Sequence, residues 1–336
     1  MAPLPISPEW TEDILGPDFE RRTFDVGIDP DGQPPVVVTL VRYLPEGSES
    51  TFHTRKAILY IPGTSDYFFH KHVAKYFHEQ GYAFYSVDFR KCARSHQEGQ
   101  RWYYISDLGI YFKDLTIATT EIINAGHSAM VMMAHSMGCL TAAMWIDHLQ
   151  KSQDNTILPF VKGIIMNSPW LDLMFSFPTV AMGRRLAPIM ATHRPEAKLH
   201  TKKLEAYVSS LHKDLYGEWD FSLEYKPVGG HDKYWGWIHA VIRSIDRVKS
   251  GKVHCRIPIL VLCSSKSWLN KPYSEESNIC DVVLDIDESI KWSNKLGDDV
   301  TTISIQDARH DVFLSREKPR NQALTTCGQW LAQQRL

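Results

Sequence analysis

The residues of this 336-residue chain best suited to chemistry gather around one serine. Ser136 stands in Met133-Ala134-His135-Ser136-Met137-Gly138, after the apolar run Ala129–Ala134 and at the start of a segment with helical period. A serine raised on a sharp strand-to-helix bend takes strained backbone angles. The residues two before and two after it must then be small, so that strand and helix can approach. Gly138 meets that need fully, and Ala134 meets it with one added methyl. A serine hydroxyl is a poor nucleophile without a base, and the base needs an orienting acid. In a sheet of this kind the acid and then the histidine follow the serine, each on a loop after a late strand. His310 comes after the run Thr301–Ile305, in Gln306-Asp307-Ala308-Arg309-His310-Asp311-Val312, and Asp281 comes after Ile257–Cys263. Asp285 and Asp287 stand close to Asp281, and the loop Ser264–Cys280 is longer than a simple strand-to-acid turn requires; Asp281 ranks first. Each residue alone has an ordinary structural use, whereas three such types at three strand ends form a constellation. Charge developing on a carbonyl oxygen also needs backbone N–H donors. Met137 would give one at a helix start, and Thr64 another, where Pro62-Gly63 lets the backbone turn.

The elements that must position these groups follow from hydrophobic period. Ala57–Ile61, Ala83–Val87, Ala129–Ala134, Gly163–Asn167, Ile257–Cys263 and Thr301–Ile305 are short runs apolar on both faces, as in a parallel sheet covered by helices. Arg21–Gly27 and Pro35–Leu44, joined through Asp29-Pro30-Asp31-Gly32, read as an antiparallel hairpin at the sheet edge. Helices are expected over Phe69–Gln80, Ser106–Ala125 and Met137–Lys151, with a last one from Pro319 to Leu336. Strand and helix in alternation give an α/β class with a mostly parallel, doubly wound sheet. Between Gly163–Asn167 and Ile257–Cys263 lie roughly ninety residues, far more than an ordinary crossover. Residues 170–251 therefore read as an inserted helical lid over the carboxyl ends of the strands. Residues 1–169 and 252–336 form the core.

These residues resemble the α/β-hydrolase superfamily, most closely its serine aminopeptidase S33 or monoacylglycerol-lipase-like branch. The resemblance rests on Tyr60-Ile61-Pro62-Gly63 before a helix, Gly81-Tyr82, Asp88-Phe89-Arg90 ending in Ser95, Ala134-His135-Ser136-Met137-Gly138, Asp281 and Arg309-His310-Asp311. It spans the chain from about Arg21 to the end, much of the insertion excepted. It implies Ser136 as nucleophile, Asp281 as acid, His310 as base, and the amides of Thr64 and Met137 as oxyanion hole. Three positions depart from the family pattern. The usual His-Gly reads Pro62-Gly63, the elbow begins with Ala134, and the usual Asp-x-Arg-Gly-x-Gly-x-Ser reads Asp88-Phe89-Arg90-Lys91-Cys92-Ala93-Arg94-Ser95. Members of the branch cleave esters, lactones, amides and carbon–carbon bonds with one triad, so the substrate does not transfer.

The expected activity is cofactor-independent cleavage of a carboxylic ester or lactone of an apolar small molecule through an acyl-enzyme. The alternatives are an acyltransferase or C–C bond hydrolase using the same triad, a lyase or cyclase, and a non-catalytic ligand-binding protein on the same scaffold. Tyr67, Phe68, His135 and Trp170 are the expected substrate contacts. Phe175, Phe177, Trp219, Phe221, Tyr225, Tyr234, Trp235 and Trp237 in the insertion would face a cleft or form its own small core. His70-Lys71-His72 reads as a solvated helix face. His254–Cys255 and the other histidines match no zinc spacing, and no phosphate-cradling glycine loop occurs, so neither metal nor cofactor is expected. Composition agrees with a soluble globular enzyme. Basic and acidic residues number 37 and 39, a net of 37 − 39 = −2, which gives nucleic acid or an anionic membrane no electrostatic hold. No apolar run is long enough to span a bilayer, Met1–Trp10 lacks the pattern of a secretory signal, and six unpaired-looking cysteines suit a reducing, cytoplasmic setting.

Overall fold

A computed structural model of the chain describes residues 7, 9–173, 177–200 and 204–336; residues 1–6 and 8 of the amino end, and Phe175, lie outside the described residues. Nine strands form one sheet in the order β1-β2-β3-β5-β4-β6-β7-β8-β9. They are β1 (Thr11–Asp13), β2 (Gly16–Gly27), β3 (Val36–Tyr43), β4 (Lys56–Ile61), β5 (Tyr82–Asp88), β6 (Met130–His135), β7 (Val161–Asn167), β8 (Ile259–Ser264) and β9 (Val300–Ile305). From β5 to β9 all neighbours are parallel, and β1 to β3 form the antiparallel edge. The runs apolar on both faces became the central strands because helices cover both sides: β5, β6 and β8 are buried throughout. β9 differs from its expectation. It is the outer parallel strand, paired only to β8, and most of its residues keep some exposure.

Helices α1 (Glu49–Phe52), α2 (Lys71–Glu79), α3 (Tyr111–Asn124), α4 (Met137–Lys151), α5 (Phe177–His193), α6 (Glu205–Ser209), α7 (Trp235–Lys249), α8 (Ile286–Ser293) and α9 (Glu317–Gln333) follow in chain order. On one face of the sheet Leu115, Leu140, Val241 and Ile245 of α3, α4 and α7 join one core. On the other face Val73, Phe77, Leu324 and Leu331 of α2 and α9 join a second. The carboxyl end of the long insertion is thus a crossover helix on the sheet, since α7 buries Val241, Ile245 and Val248 with the core. α6 and the loop after it reach the strand ends.

The topology makes a crevice where it is needed. The chain leaves β4 for β5 on one side, then returns to β6 on the other, so adjacent strands β4 and β6 send their loops apart. Ligands of open α/β sheets bind at such a switch point. The register sets Ile61 against Ala134, which puts Pro62-Gly63-Thr64 beside His135-Ser136.

Candidate active site

Ser136 is the single residue between β6 and α4, and its backbone sits at φ 52°, ψ −117°, outside the regions an L-residue prefers. Neighbouring backbone holds it there: its N–H donates to Asn167 O (3.0 Å), and its carbonyl accepts from Cys139 (3.1 Å) and Trp170 (3.2 Å) N–H. Gly138 is required by contact. A Cβ there would fall 2.5 Å from Pro62 O and 2.6 Å from Ile61 O, so α4 could not begin this close to β4 with any other residue. The methyl of Ala134 fits because it is enclosed within the sheet.

His310 and Asp281 arrive from the ends of β9 and β8. His310 Nδ1 lies 2.9 Å from Asp281 Oδ2, and both side chains are buried. A carboxylate can only accept, so Nδ1–H donates in this bond and Nε2 is the nitrogen left for other partners. Asp281 Oδ1 is fixed by the N–H groups of Val283 and Leu284, each at 2.8 Å. The long loop before Asp281 returns to its start: Asp281 N–H donates to Lys266 O (2.9 Å) and Trp268 N–H to Asp281 O (2.7 Å). Asp285 is committed elsewhere, accepting from Asp287 and Glu288 N–H as the N-cap of α8, and Asp287 lies in that helix's first turn.

Ser136 and His310 line one cavity of about 140 Å³, together with Thr64, His135, Trp170 and Trp237. Met137 opens α4, so its N–H has no carbonyl within the helix to donate to and lies at the positive end of the helix dipole. Two of the expected substrate contacts are not in this cavity. Ser65 bends the chain at φ 53° just before them. That bend sends Phe68 into the core against Tyr60 and Phe84. Tyr67 points to another hollow, beside Leu15 and Phe69, where its hydroxyl accepts from Ser222 N–H at 2.7 Å. His135 and Trp170 do line the cavity.

A profile of the family described as "Serine aminopeptidase, S33" matches residues 53–317. The chain belongs to the serine aminopeptidase S33 family. Two of the solved structures that share its fold are lipases. A monoacylglycerol lipase of Paleococcus ferrophilus is 15% identical with a TM-score of 0.59, over 84% of this chain and 97% of that one. A soluble variant of the monoglyceride lipase of Saccharomyces cerevisiae, solved with a substrate analog, is 15% identical with a TM-score of 0.62, over 99% of both chains. No curated protein sequence matches the chain.

Beneath the catalytic candidates this S33 member buries a polar network that the sequence does not disclose. Asp66 accepts from Lys226 Nζ (2.6 Å) and bonds His135 Nδ1 (3.0 Å). Asp311 bonds His70 Nε2 (2.8 Å) and accepts from Asn167 Nδ2 (2.7 Å), while Asn167 Oδ1 accepts from Val312 N–H (3.1 Å). Burial alone would raise both acids. Lys226 and His135 outweigh it at Asp66, and His135 and His70 at Asp311, so both are held well below the usual carboxylate range. Burial pushes the His135 imidazole down, against the pull of Asp311 and Asp66, and its Nε2 is buried without a hydrogen bond. His70 corrects the expectation of a solvated face: it is fully buried, and His72 bonds Phe313 O at 2.9 Å. The network ties the Thr64 loop, the strand end at Asn167 and the His310 loop together. The only sequence signal for it is adjacency, Asp66 two residues past Thr64 and Asp311 next to His310.

Asp66, His135 and Asp311 each offer a ligand atom within 4.8 Å of the others, which is metal-like spacing. Their facing atoms already bond one another, Lys226 and His70, so a cation would have to displace existing hydrogen bonds. Among the described residues no helix is long and apolar enough to cross a membrane, and all six cysteines are free and buried.

Proposed function

We propose that the chain is a serine hydrolase acting on a carboxylic ester or lactone through an acyl-enzyme, without a cofactor. One observation carries this reading: a serine in a left-handed elbow shares a cavity with a histidine whose far nitrogen is fixed by a buried aspartate. His310 Nε2 takes the proton of Ser136 as Oγ attacks the carbonyl, and Asp281 stabilises the imidazolium that forms. The amides of Thr64 and Met137 receive the oxyanion. The imidazolium then gives its proton to the departing alkoxide, and water, activated by the same histidine, releases the acid from Ser136.

Substrate size follows from the walls. Trp170 and Trp237 lie with ring centroids 6.0 Å apart at the cavity, and Val208 and Val283 add apolar surface, which suits an acyl group of moderate length. The ester class is supported by the two lipase structures of the same fold. Of the inserted segment, α6 with Tyr207 and Val208 and the loop from Lys226 to Lys233 border the cavity and serve as the lid.

The test is direct. A fluorophosphonate should add to Ser136, as read by peptide mass, and Ser136→Ala should lower turnover of short-chain esters at least ~10³-fold while the melting curve is unchanged. An unlabelled Ser136 with intact fold would turn the reading to a binding protein. Labelling with acyl transfer to an added alcohol exceeding hydrolysis would turn it to a transferase.

A further inference from the structure

The cavity has a second, chemically distinct corner. Lys233, on the loop before α7, places its Nζ 2.8 Å from Ser65 Oγ and 3.2 Å from Thr64 Oγ1, and 4.9 Å from the centroid of the Trp237 ring. Both hydroxyl oxygens accept from the ammonium, and Ser65 Oγ also accepts from His231 N–H at 3.0 Å. Each hydroxyl keeps its own proton to give, and the ammonium keeps its third. All three residues line the cavity that contains Ser136 and His310.

What this corner lacks is an ion pair for its cation. Lys233 has no ion-pair partner among the described residues, and the undescribed residues include no Asp or Glu. Neighbouring Asp232 is paired with Lys198 at 2.6 Å. The other lysine of the cavity, Lys226, is matched by Asp66. Lys233 is half-buried, and a cation drawn that far out of water is commonly paired, because leaving it alone is costly. The carboxylates nearby, Asp66 and Asp232, are taken by Lys226 and Lys198, so a donor-rich corner with an unpaired cation beside a reaction centre fits an anion brought by the ligand.

We infer that Lys233, with the hydroxyls of Ser65 and Thr64, is a subsite for a carboxylate on the substrate, so that the ester cleaved is an acidic one with its charge a few bonds from the scissile carbonyl. The inference rests on the hydrolase reading and narrows its substrate class. Its geometry is specific. Thr64 offers its N–H to the oxyanion and its Oγ1 to Lys233, so the two negative groups would lie on either side of one residue.

The experiment compares matched esters: monoethyl esters of the C4 to C8 dicarboxylic acids against ethyl esters of monocarboxylic acids of equal length, and the acetyl esters of glycolate and of ethanol for charge on the alcohol side. Wild-type protein should prefer the charged member of at least one pair. Lys233→Gln can still donate to Ser65 and Thr64 but carries no charge. In this variant the charged-to-neutral ratio of kcat/KM should fall about 10- to 100-fold, mainly through KM, as loss of one charge-assisted contact implies. Equal loss on charged and neutral esters would reduce Lys233 to a positioning residue of the oxyanion loop, and no preference in wild type would remove the subsite; either result overturns the inference. Calorimetric binding of monoethyl glutarate to Ser136→Ala, with and without Lys233→Gln, reads the subsite without turnover. A Lys233-dependent signal there, in a protein whose wild type no fluorophosphonate labels, would keep the subsite and sink the hydrolase.

Discussion

The loop after β5 and the cavity of Ser136 and His310 both hold cations, and they treat them differently. In the loop, Arg90 meets Asp114, Lys91 meets Asp29 and Asp31, and Arg94 meets Asp13 and Asp88. Every cation there is matched, and Arg94 and Lys91 are fully enclosed. The same loop holds Lys91 at φ 60° and Ala93 at φ 39°, at the two positions where the family pattern has glycine. Those angles cost an L-residue free energy, and the ion pairs lock the strained turn in place. In the cavity Lys226 is matched and Lys233 is not. Charges that serve the fold find their partners within the chain. The unmatched one sits where a ligand would be.

The contrast is broken most forcefully in the loop. Arg94→Met leaves Asp13 and Asp88 buried without a cation, and removing one member of such a cluster costs about 3–5 kcal/mol. Burial already pushes the Asp88 carboxyl up, and Arg94 is what opposes it. Urea melts of wild type and variant should therefore separate by that amount. A loss under about 1 kcal/mol would mean that water solvates these acids and that the loop is not held by matched charge.

An intermediate effect is expected at Asn167, which joins the two kinds of region: a structural hydrogen bonder at the end of β7 that anchors the loop of His310. Asn167→Ala strips one donor from Asp311 and the acceptor from Val312 N–H, both buried. Stability should fall by about 1–3 kcal/mol, the cost of groups left unsatisfied. Ester turnover should fall in kcat more than in KM, because the histidine loop loosens while the cavity walls stay. An unchanged kcat would confine Asn167 to the fold.

How much of this could be read from the chain alone follows the same division. The central strands were legible because burial on both faces leaves continuous apolar runs, and the elbow was legible because Gly138 and Ala134 answer a local steric demand. Asp281 and His310 were singled out by chain order and lie 2.9 Å apart, while the capping bonds of Asp285 had no signal of their own. Partners distant in sequence were not legible. Asp66 and Lys226 are 160 residues apart, and Asp13 and Arg94 are 81 apart, with no periodicity to connect them. Asp29 and Asp31 read as turn formers, which they are, since Gly32 N–H donates to Asp29 O, but they also neutralise Lys91. Tyr67 and Phe68 lie outside the cavity of Ser136, past the left-handed angle at Ser65, a backbone feature that no periodicity signals.

The smallest expected effect tests the unmatched charge by its own titration. Burial lowers the Lys233 ammonium from 10.5 to about 8, against weak opposing fields from Cys92 and Asp232, while His231 beside it is itself pushed down to about 4. Below about pH 8 both folded and unfolded chains hold the proton, and the penalty for burying the charge is constant. Between about 8 and 10.5 the unfolded chain binds the proton and the folded one releases it, so this group makes unfolding costlier as pH rises. Cys263 and Cys280, raised to about 11, act in the opposite sense above pH 9, so the lysine must be read as a difference. Lys233→Met should be more stable than wild type by about 1–2 kcal/mol at pH 7, the full shift being discounted for partial exposure. That gap should close as pH approaches 10.5, and saturating monoethyl glutarate should narrow or reverse it at pH 7 by stabilising only the wild type. A gap that keeps its size across this range, or a wild type that is the more stable at pH 7 without ligand, would mean that the protein already supplies the counter-charge, and the difference between loop and cavity would vanish.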